Sequence, residues 1–373
     1  MSFTVAVLKE SRPDEHRVAM VPTLLPRLTK LGGQLRLQSG AGEAAFLADA
    51  AYAGATVAAD GVATVAGADL VLAVQAPPLE VVRAMRPGSV LAGLLYADRT
   101  PGLRDALQAG GITAFAMERV PRISRAQALD ALSSQAALAG YYAPLLGAVN
   151  LPRILPMMTT AVGSLRAARV LVMGLGVAGL QALATAHRLG AVTEGYDVRP
   201  ETREQAQSVG ARFVDTGIDA RGEGGYAREL TDDERARAAQ VLTQHIQQAD
   251  LVITTANVPG RRAPILVDAA QIAGMKPGAV IVDLAADSGG NCEGTVPGQT
   301  TRVGPVTIVA PCNVPSHLAQ HASDLYARNL LALLDLLVHD GALAPDYDDE
   351  VIAGTLLCRG ADAAVSPTAA AQE

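Results

Sequence analysis

The segment from Ala168 to Arg199, ARVLVMGLGVAGLQALATAHRLGAVTEGYDVR, constrains the fold more than any other part of the chain. A β-rich run ends in Gly174, Gly176 and Gly179 and then enters an Ala/Leu-rich helix. The first glycine permits a tight turn, the second lets the backbone approach a pyrophosphate, and the third allows close helix-strand packing. The helix N-terminus, beginning near Val177, adds N–H groups without helical partners and a positive dipole. Gly190 is placed to end the helix. The next strand finishes at Asp197, about 20 residues past the glycines, where a carboxylate can take ribose hydroxyls. That acid favours NAD over NADP, while Arg199, two residues on, is placed to meet a 2'-phosphate. Strand, glycines, helix, second strand and acid in this order read as a dinucleotide-binding unit.

Short Val, Leu and Ile runs alternate with helical stretches along the rest of the chain, the pattern of a parallel sheet covered on both faces. Strands are expected at Thr4 to Leu8, Gln34 to Gln38, Leu70 to Val74, Ser89 to Leu94 and Thr113 to Ala116. A second set is expected at Val170 to Met173, Ala191 to Tyr196, Leu251 to Thr254, Ala279 to Asp283 and Thr307 to Val309. The 373 residues hold two or three domains of ordinary size, roughly 150 residues each. An internal echo points to two: ADLVLAVQAP from Ala68 and MRPGSVLAGLLYAD from Met85 resemble ADLVITTANVP from Ala249 and MKPGAVIVDLAAD from Met275. Duplication and convergence of two similar units both produce such an echo. The fold class is α/β, with two Rossmann-like doubly wound parallel-sheet domains.

Half the residues are hydrophobic but only 3% are aromatic, so aliphatic side chains must build the cores, and disorder is excluded. The net charge of -7 offers no basic footprint for nucleic acid. Three cysteines, Cys292, Cys312 and Cys358, are odd in number, far apart and without CxxC spacing, which suits a reducing compartment. The start turns charged within nine residues and reads as a first strand, not a signal peptide. Gly140 to Leu165 is apolar, but Asn150, Arg153 and three prolines interrupt it, so buried helices and a linker are expected there, with no membrane span. RNLLALLDLLVHDG suits a buried or interface helix. The last dozen residues, from Asp362, read as a frayed tail.

The polar segment RISRAQALDALSSQAALAGYY admits two readings. Ser124 could cap a helix, with Gln127 completing a capping box. Alternatively, Gln127, Asp130 and Ser133 or Ser134 recur every three residues, placing amide, carboxylate and hydroxyl on one helical side with Arg122 upstream, a cluster able to hold a carboxamide and a ribose.

Together with the GLGVAG turn, KESRPDEHRVAMVP, MERVPRISRAQALDALSSQAALAGY, PMMTTAVG, GGYARE, TTANVPG, DLAADSGGNC and CNVPS, this segment resembles the NAD-binding component of proton-translocating nicotinamide nucleotide transhydrogenases, in the superfamily shared with alanine dehydrogenase. The resemblance covers nearly the whole chain. It implies that Arg122, Gln127, Asp130 and Ser133 surround the nicotinamide and its ribose, with Ile123, Ser124 and Arg125 in the same loop. Asp197, Val198 and Arg199 would meet the adenosine side, with Val177 at the glycine turn. Gly225 and Tyr226, in a charged glycine-rich segment starting near Asp215, would belong to a mobile loop that closes on the nucleotide, and Ala256 and Asn257 would complete the pocket. It also implies a discontinuous first domain, 1–133 plus 311–373, around an NAD-binding domain, 134–310. The implied cofactors are NAD(H) here and NADP(H) on a partner component. The implied assembly is a homodimer working with a membrane-spanning subunit and the NADP-binding component, cytoplasmic and peripheral to the inner membrane.

Alanine dehydrogenase shares this fold and reduces an imine, a reaction that calls for substrate-binding cations and a proton-transfer group. Of the four residues the family supplies, Arg17 and Asp287 match. The family lysine is replaced by Gln75 and the histidine by Tyr96, which favours hydride transfer between two nicotinamides, a step that needs positioning and exclusion of water but no protein acid or base. Arg17 pairing with Asp14 or Glu15 on the surface, and Asp287 capping a loop, are the structural readings of those two. Many transhydrogenase components keep a histidine at the position of Tyr96, and the family arginine after the GY pair is replaced by Tyr142. A catalytically silent NAD-sensing module is the third reading. His317 and His321 stand at i,i+4 spacing without a third ligand, so no metal site is expected, and no GxSxG or P-loop is present.

Overall fold

The computed structural model describes residues 2–219, 228–258 and 261–360. The chain divides into a first unit, Met1–Gln135 with Ser316–Glu373, and a second, Ala136–Pro315. The first opens with strands β1 (Phe3–Val7), β2 (Gly33–Gln38), β3 (Thr56–Ala58), β4 (Leu70–Gln75), β5 (Val90–Leu94) and β6 (Thr113–Ala116). The second begins with a hairpin of β7 (Met158–Thr160) and β8 (Gly163–Leu165). Its sheet strands are β9 (Arg169–Met173), β10 (Val192–Tyr196), β11 (Arg212–Phe213), β12 (Leu251–Thr254), β13 (Val280–Asp283), β14 (Thr300–Val303) and β15 (Val306–Val309). A short pair, β16 (Val338–His339) with β17 (Ala342–Leu343), and β18 (Leu356–Cys358) return to the first unit.

Both main sheets are doubly wound. The first runs β18-β6-β5-β4-β1-β2-β3 and the second β11-β10-β9-β12-β13-β15-β14. Each keeps the Rossmann order, in which the first strand of the sheet in the chain lies between that sheet's second and fourth. All pairings within these sheets are parallel except those of the edge strands β18 and β14.

Both faces of each sheet are covered at its centre, which is why the central strands β4, β5, β9, β12 and β13 read as apolar runs. Alternate residues feed different cores. Val5, Val7, Leu70, Leu72 and Val74 enter one core of the first unit, while Ala6, Leu8, Val71 and Ala73 enter the other. In the second unit Val170, Val172, Leu251 and Ile253 face one core and Leu171, Met173 and Val252 the opposite one. The Leu-rich stretch near the C-terminus is a helix, Ala319–Leu337, with Leu330, Leu331, Leu333, Leu334 and Leu337 fully buried. The Tyr326 hydroxyl on that helix donates to the Ala73 carbonyl of β4 at 2.9 Å.

The Gly140 to Leu165 expectation needs correction. Its first part belongs to the helix Ala131–Asn150, but β7 and β8 are exposed at every residue, and Val162 in the turn is 98% exposed. This hairpin pairs with itself, so its apolar side chains find no sheet face to cover. Among the described residues no helix is long and apolar enough to cross a membrane. The residues from Asp362 onward lie outside the described residues.

Candidate nucleotide site

In the second unit the glycine turn links β9 to the helix Val177–Arg188. The three glycines are required for three different reasons. Gly174 has φ +94, and a Cβ there would lie 2.8 Å from the Thr255 Oγ1 and 3.0 Å from the Ala256 amide. A Cβ on Gly179 would fall 1.8 Å from the Gly174 carbonyl oxygen, so the helix can approach the strand only with glycine at that position. A Cβ on Gly176 would meet nothing within 4 Å. Protein packing therefore does not require the second glycine. The open space above it, at the N-terminus of a 12-residue helix with no side-chain cap, fits a pyrophosphate approaching the backbone.

Asp197 follows β10 and is buried. Its carboxylate accepts the Leu175 amide at 2.7 Å, the Arg199 amide at 2.9 Å, and the Arg199 Nε and Nη2 at 2.9 and 2.8 Å. The acid and the arginine, read from sequence as alternatives facing a ribose or a phosphate, are thus an ion pair. Val198 packs against one of the second unit's cores. Ala256 and Asn257 follow β12 and flank the turn: the Thr255 amide donates to Met173 at 2.9 Å and the Thr255 hydroxyl to Gly174 at 2.8 Å. Gly225 and Tyr226 lie outside the described residues.

The 122–134 segment does not form one helical side. Ser124–Leu129 is a 3-10 helix without a side-chain cap bond, Asp130 breaks it at ψ 83, and the α-helix begins at Ala131. The expected Ser124 and Gln127 capping box is absent; the cap is Asp130, whose carboxylate accepts the Ser133 amide at 2.9 Å and the Ser133 hydroxyl at 2.6 Å. The reason is register: a short acid at the break reaches the first free amides of the long helix, which a residue six positions earlier cannot. Arg122, Ser124 and Gln127 are exposed, Ile123 is partly buried, and the Arg125 guanidinium is engaged by Asp349 at 2.6 and 3.0 Å. The Gln127 side chain makes no hydrogen bond among the described residues.

At the C-terminal strand ends of the first unit, Arg17 is not on the surface but 3% exposed. Glu15 takes its Nε and Nη2 at 2.7 and 2.6 Å, and the Gln135 amide oxygen takes Nη1 at 2.9 Å. Burial pushes the Glu15 carboxyl up, but the Arg17 hydrogen bonds and charge outweigh it and hold it below the usual carboxylate range. Gln75, 8% exposed, donates to Glu15 at 3.0 Å. Tyr96 stands in the left-handed region at φ 39, and its amide donates to Glu118 at 2.7 Å. Asp287, in the second unit, accepts the Asn313 amide at 3.0 Å, the loop-capping role. Tyr142 lies within the helix Ala131–Asn150 and is partly buried. Among the described residues no group of three His, Cys, Asp or Glu side chains could hold a metal ion.

Sequence reasoning passed over Asp283, Asn291 and Leu175. Asp283 accepts five bonds, from the Thr254 and Thr295 hydroxyls and the Ala285, Asn291 and Cys292 amides. An acid closing a buried strand, the same signal that marked Asp197, would have found it.

Fold and site together define a dinucleotide-binding α/β protein of two Rossmann-like units. Residues 6–139 match the family model for the alanine dehydrogenase/PNT N-terminal domain, and residues 143–364 match that for the alanine dehydrogenase/PNT C-terminal domain. The chain belongs to the alanine dehydrogenase/PNT family. It is 42% identical over 368 residues to an NAD(P) transhydrogenase subunit alpha chain of Rhodospirillum rubrum, covering 95% of this chain and 96% of that one. The crystal structure of transhydrogenase from Sinorhizobium meliloti superimposes with a TM-score of 0.87 at 42% identity, over 96% of this chain and 99% of that chain. Alanine dehydrogenase of Mycobacterium tuberculosis is 32% identical over 298 residues, 79% of this chain and 75% of that protein. These relatives agree with the sequence reading of a transhydrogenase-type oxidoreductase.

Proposed function

We propose that this chain is the NAD(H)-binding component of a proton-translocating transhydrogenase, in which hydride passes directly between NAD(H) on this chain and NADP(H) on a partner component. A membrane-spanning subunit couples the transfer to protons, and the chain works as a homodimer, peripheral to the cytoplasmic face of the membrane. The observation that supports this reading over its nearest rival lies at the first unit's strand ends. Imine reduction calls for cations that bind a carboxylate and a group that moves a proton. The lysine position is Gln75, whose amide nitrogen donates to Glu15, and the same carboxylate accepts from Arg17. The histidine position is Tyr96.

A bound nicotinamide supplies or takes up the hydride, and the protein has to place it and exclude water. Gly174, Gly176, Val177 and Gly179 hold the pyrophosphate at the helix N-terminus. Asp197, Val198 and Arg199 hold the adenosine side. Gln127 orients the carboxamide, while Arg122, Asp130 and Ser133, with Ile123, Ser124 and Arg125 beside them, fix ring and ribose. Gly225 and Tyr226 close the site, and Ala256 and Asn257 complete its wall.

The test is rapid-mixing absorbance of hydride transfer from NADH to an NADP analogue, with and without an NADP-binding partner domain, against a control containing pyruvate and ammonia. Partner-dependent transfer with a silent control is expected. NADH oxidation in the control alone would make the chain an amino-acid dehydrogenase, and binding without transfer to any partner would make it a nucleotide sensor.

A further inference from the structure

Asn291 has no assigned role in the site described above, yet it ties the loop after β13 to several points along the loop after β12. It is 0% exposed and follows Gly289 and Gly290, at φ +98 and +82, which bend the chain back over Asp283. Its amide donates to Asp283 at 2.7 Å, and its carbonyl accepts the Leu266 and Val267 amides. Its side-chain Nδ2 donates to the Ala256 carbonyl at 2.8 Å and to the Pro264 carbonyl at 2.7 Å. Its Oδ1 is buried without a partner among the described residues.

The topology says which part of a dinucleotide this clamp serves. The acid that takes the adenosine ribose closes β10, on one side of β9. A dinucleotide crosses at the switch point, so its other half lies on the opposite side, over the ends of β12 and β13. Ala256 and Asn257 follow β12, and Asn291 belongs to the loop after β13. A trans peptide points its C=O and N–H in opposite directions. With the Ala256 carbonyl drawn to Asn291, the N–H of the exposed Asn257 is turned away from the clamp.

We propose that Asn291 is a positioning residue for the nicotinamide half of the nucleotide, acting by fixing the Ala256–Asn257 peptide so that the Asn257 N–H is presented at the end of β12. This rests on the NAD(H) reading above. The full chain is titrated with NADH and with ADP, which carries the adenosine half alone. In Asn291→Ser the NADH dissociation constant is expected to rise about tenfold, the equivalent of about one lost hydrogen bond, while that of ADP stays within about twofold. Asn257→Pro, an exposed change that removes the proposed N–H, is expected to do the same, and it decides the matter if Asn291→Ser does not fold. Equal losses for both ligands, or NADH binding unchanged in folded Asn257→Pro, would overturn the proposal. A wild-type chain that binds no NADH would instead sink the NAD(H) reading itself.

Discussion

The Leu175 amide, between the first two glycines of the turn, donates to the carboxylate of Asp197 at 2.7 Å. The acid that follows β10 therefore shapes the glycine turn, and it holds Arg199 in a two-point ion pair.

Asp197→Ala removes the strap on the turn and leaves a half-buried guanidinium without its carboxylate. We expect a stability loss of at least ~2 kcal/mol in urea unfolding. NADH affinity should fall more than about tenfold and NADPH affinity by less, since the carboxylate whose charge repels a 2'-phosphate beside Arg199 is gone. Fluorescence titration with both nucleotides measures the ratio; an unchanged ratio would show that the Asp197 charge plays no part in selectivity.

Two glycine substitutions separate folding from binding. Gly179→Ala places a methyl 1.8 Å from the Gly174 carbonyl oxygen and should cost more than about 2 kcal/mol or prevent folding. Gly176→Ala meets no neighbour, so unfolding should change by no more than ~1 kcal/mol while nucleotide affinity drops about tenfold. Normal affinity in folded Gly176→Ala would remove the pyrophosphate from that turn.

The Gln127 side chain has no partner to lose among the described residues, so Gln127→Asn should leave stability within ~0.5 kcal/mol. Hydride transfer should slow by at least about ten times more than NADH binding weakens. Stopped-flow transfer rates beside equilibrium titrations give the comparison, and equal losses would reduce Gln127 to a binding residue.

Glu10 predicts a pH dependence. Its carboxyl accepts the Val74 and Gln75 amides, but burial dominates and pushes its pKa from 4.5 to about 8, with Glu15 raising it further and Arg17 opposing. Between those values the native chain holds a proton that the unfolded chain releases, so this group makes stability fall as pH rises, by up to ~1.4 kcal/mol per unit. Glu10→Gln keeps an acceptor for one of the two amides, carries no titratable proton and should remove that slope. Denaturant unfolding at pH 5.5 and 7.5 should show the variant gaining on wild type at the higher pH; parallel curves would mean Glu10 is ionised throughout.

The ten expected strands all exist, and the central ones, β4, β5, β9, β12 and β13, are apolar runs buried on both faces, a pattern that composition along the chain records directly. Of the strands that were not expected, β3, β11, β14 and β18 are the edges of the two main sheets, short and formed because a neighbour offers unpaired backbone, and β7, β8, β16 and β17 make two separate hairpin pairs. The glycine turn and Asp197 were readable because each follows a local rule of spacing. The Ser124 cap failed because several polar residues compete for the same helix start, and Asp130 reaches the free amides first. The hairpin from Met158 to Leu165 was misplaced because apolar composition marks what gains from burial, not whether a face is there to receive it.

By itself the sequence determined two Rossmann-like units, the three glycines with their acid, and the family, since all are written in local periodicity and spacing. Only the tertiary structure decided that Arg17 is buried against Glu15, that Arg199 is paired with Asp197, and that Asn291 holds the Ala256 carbonyl. Asn291 and Ala256 lie 35 positions apart in the chain, and hydrogen bonds of a few ångströms depend on which strand ends the sheet brings together, something no local pattern encodes.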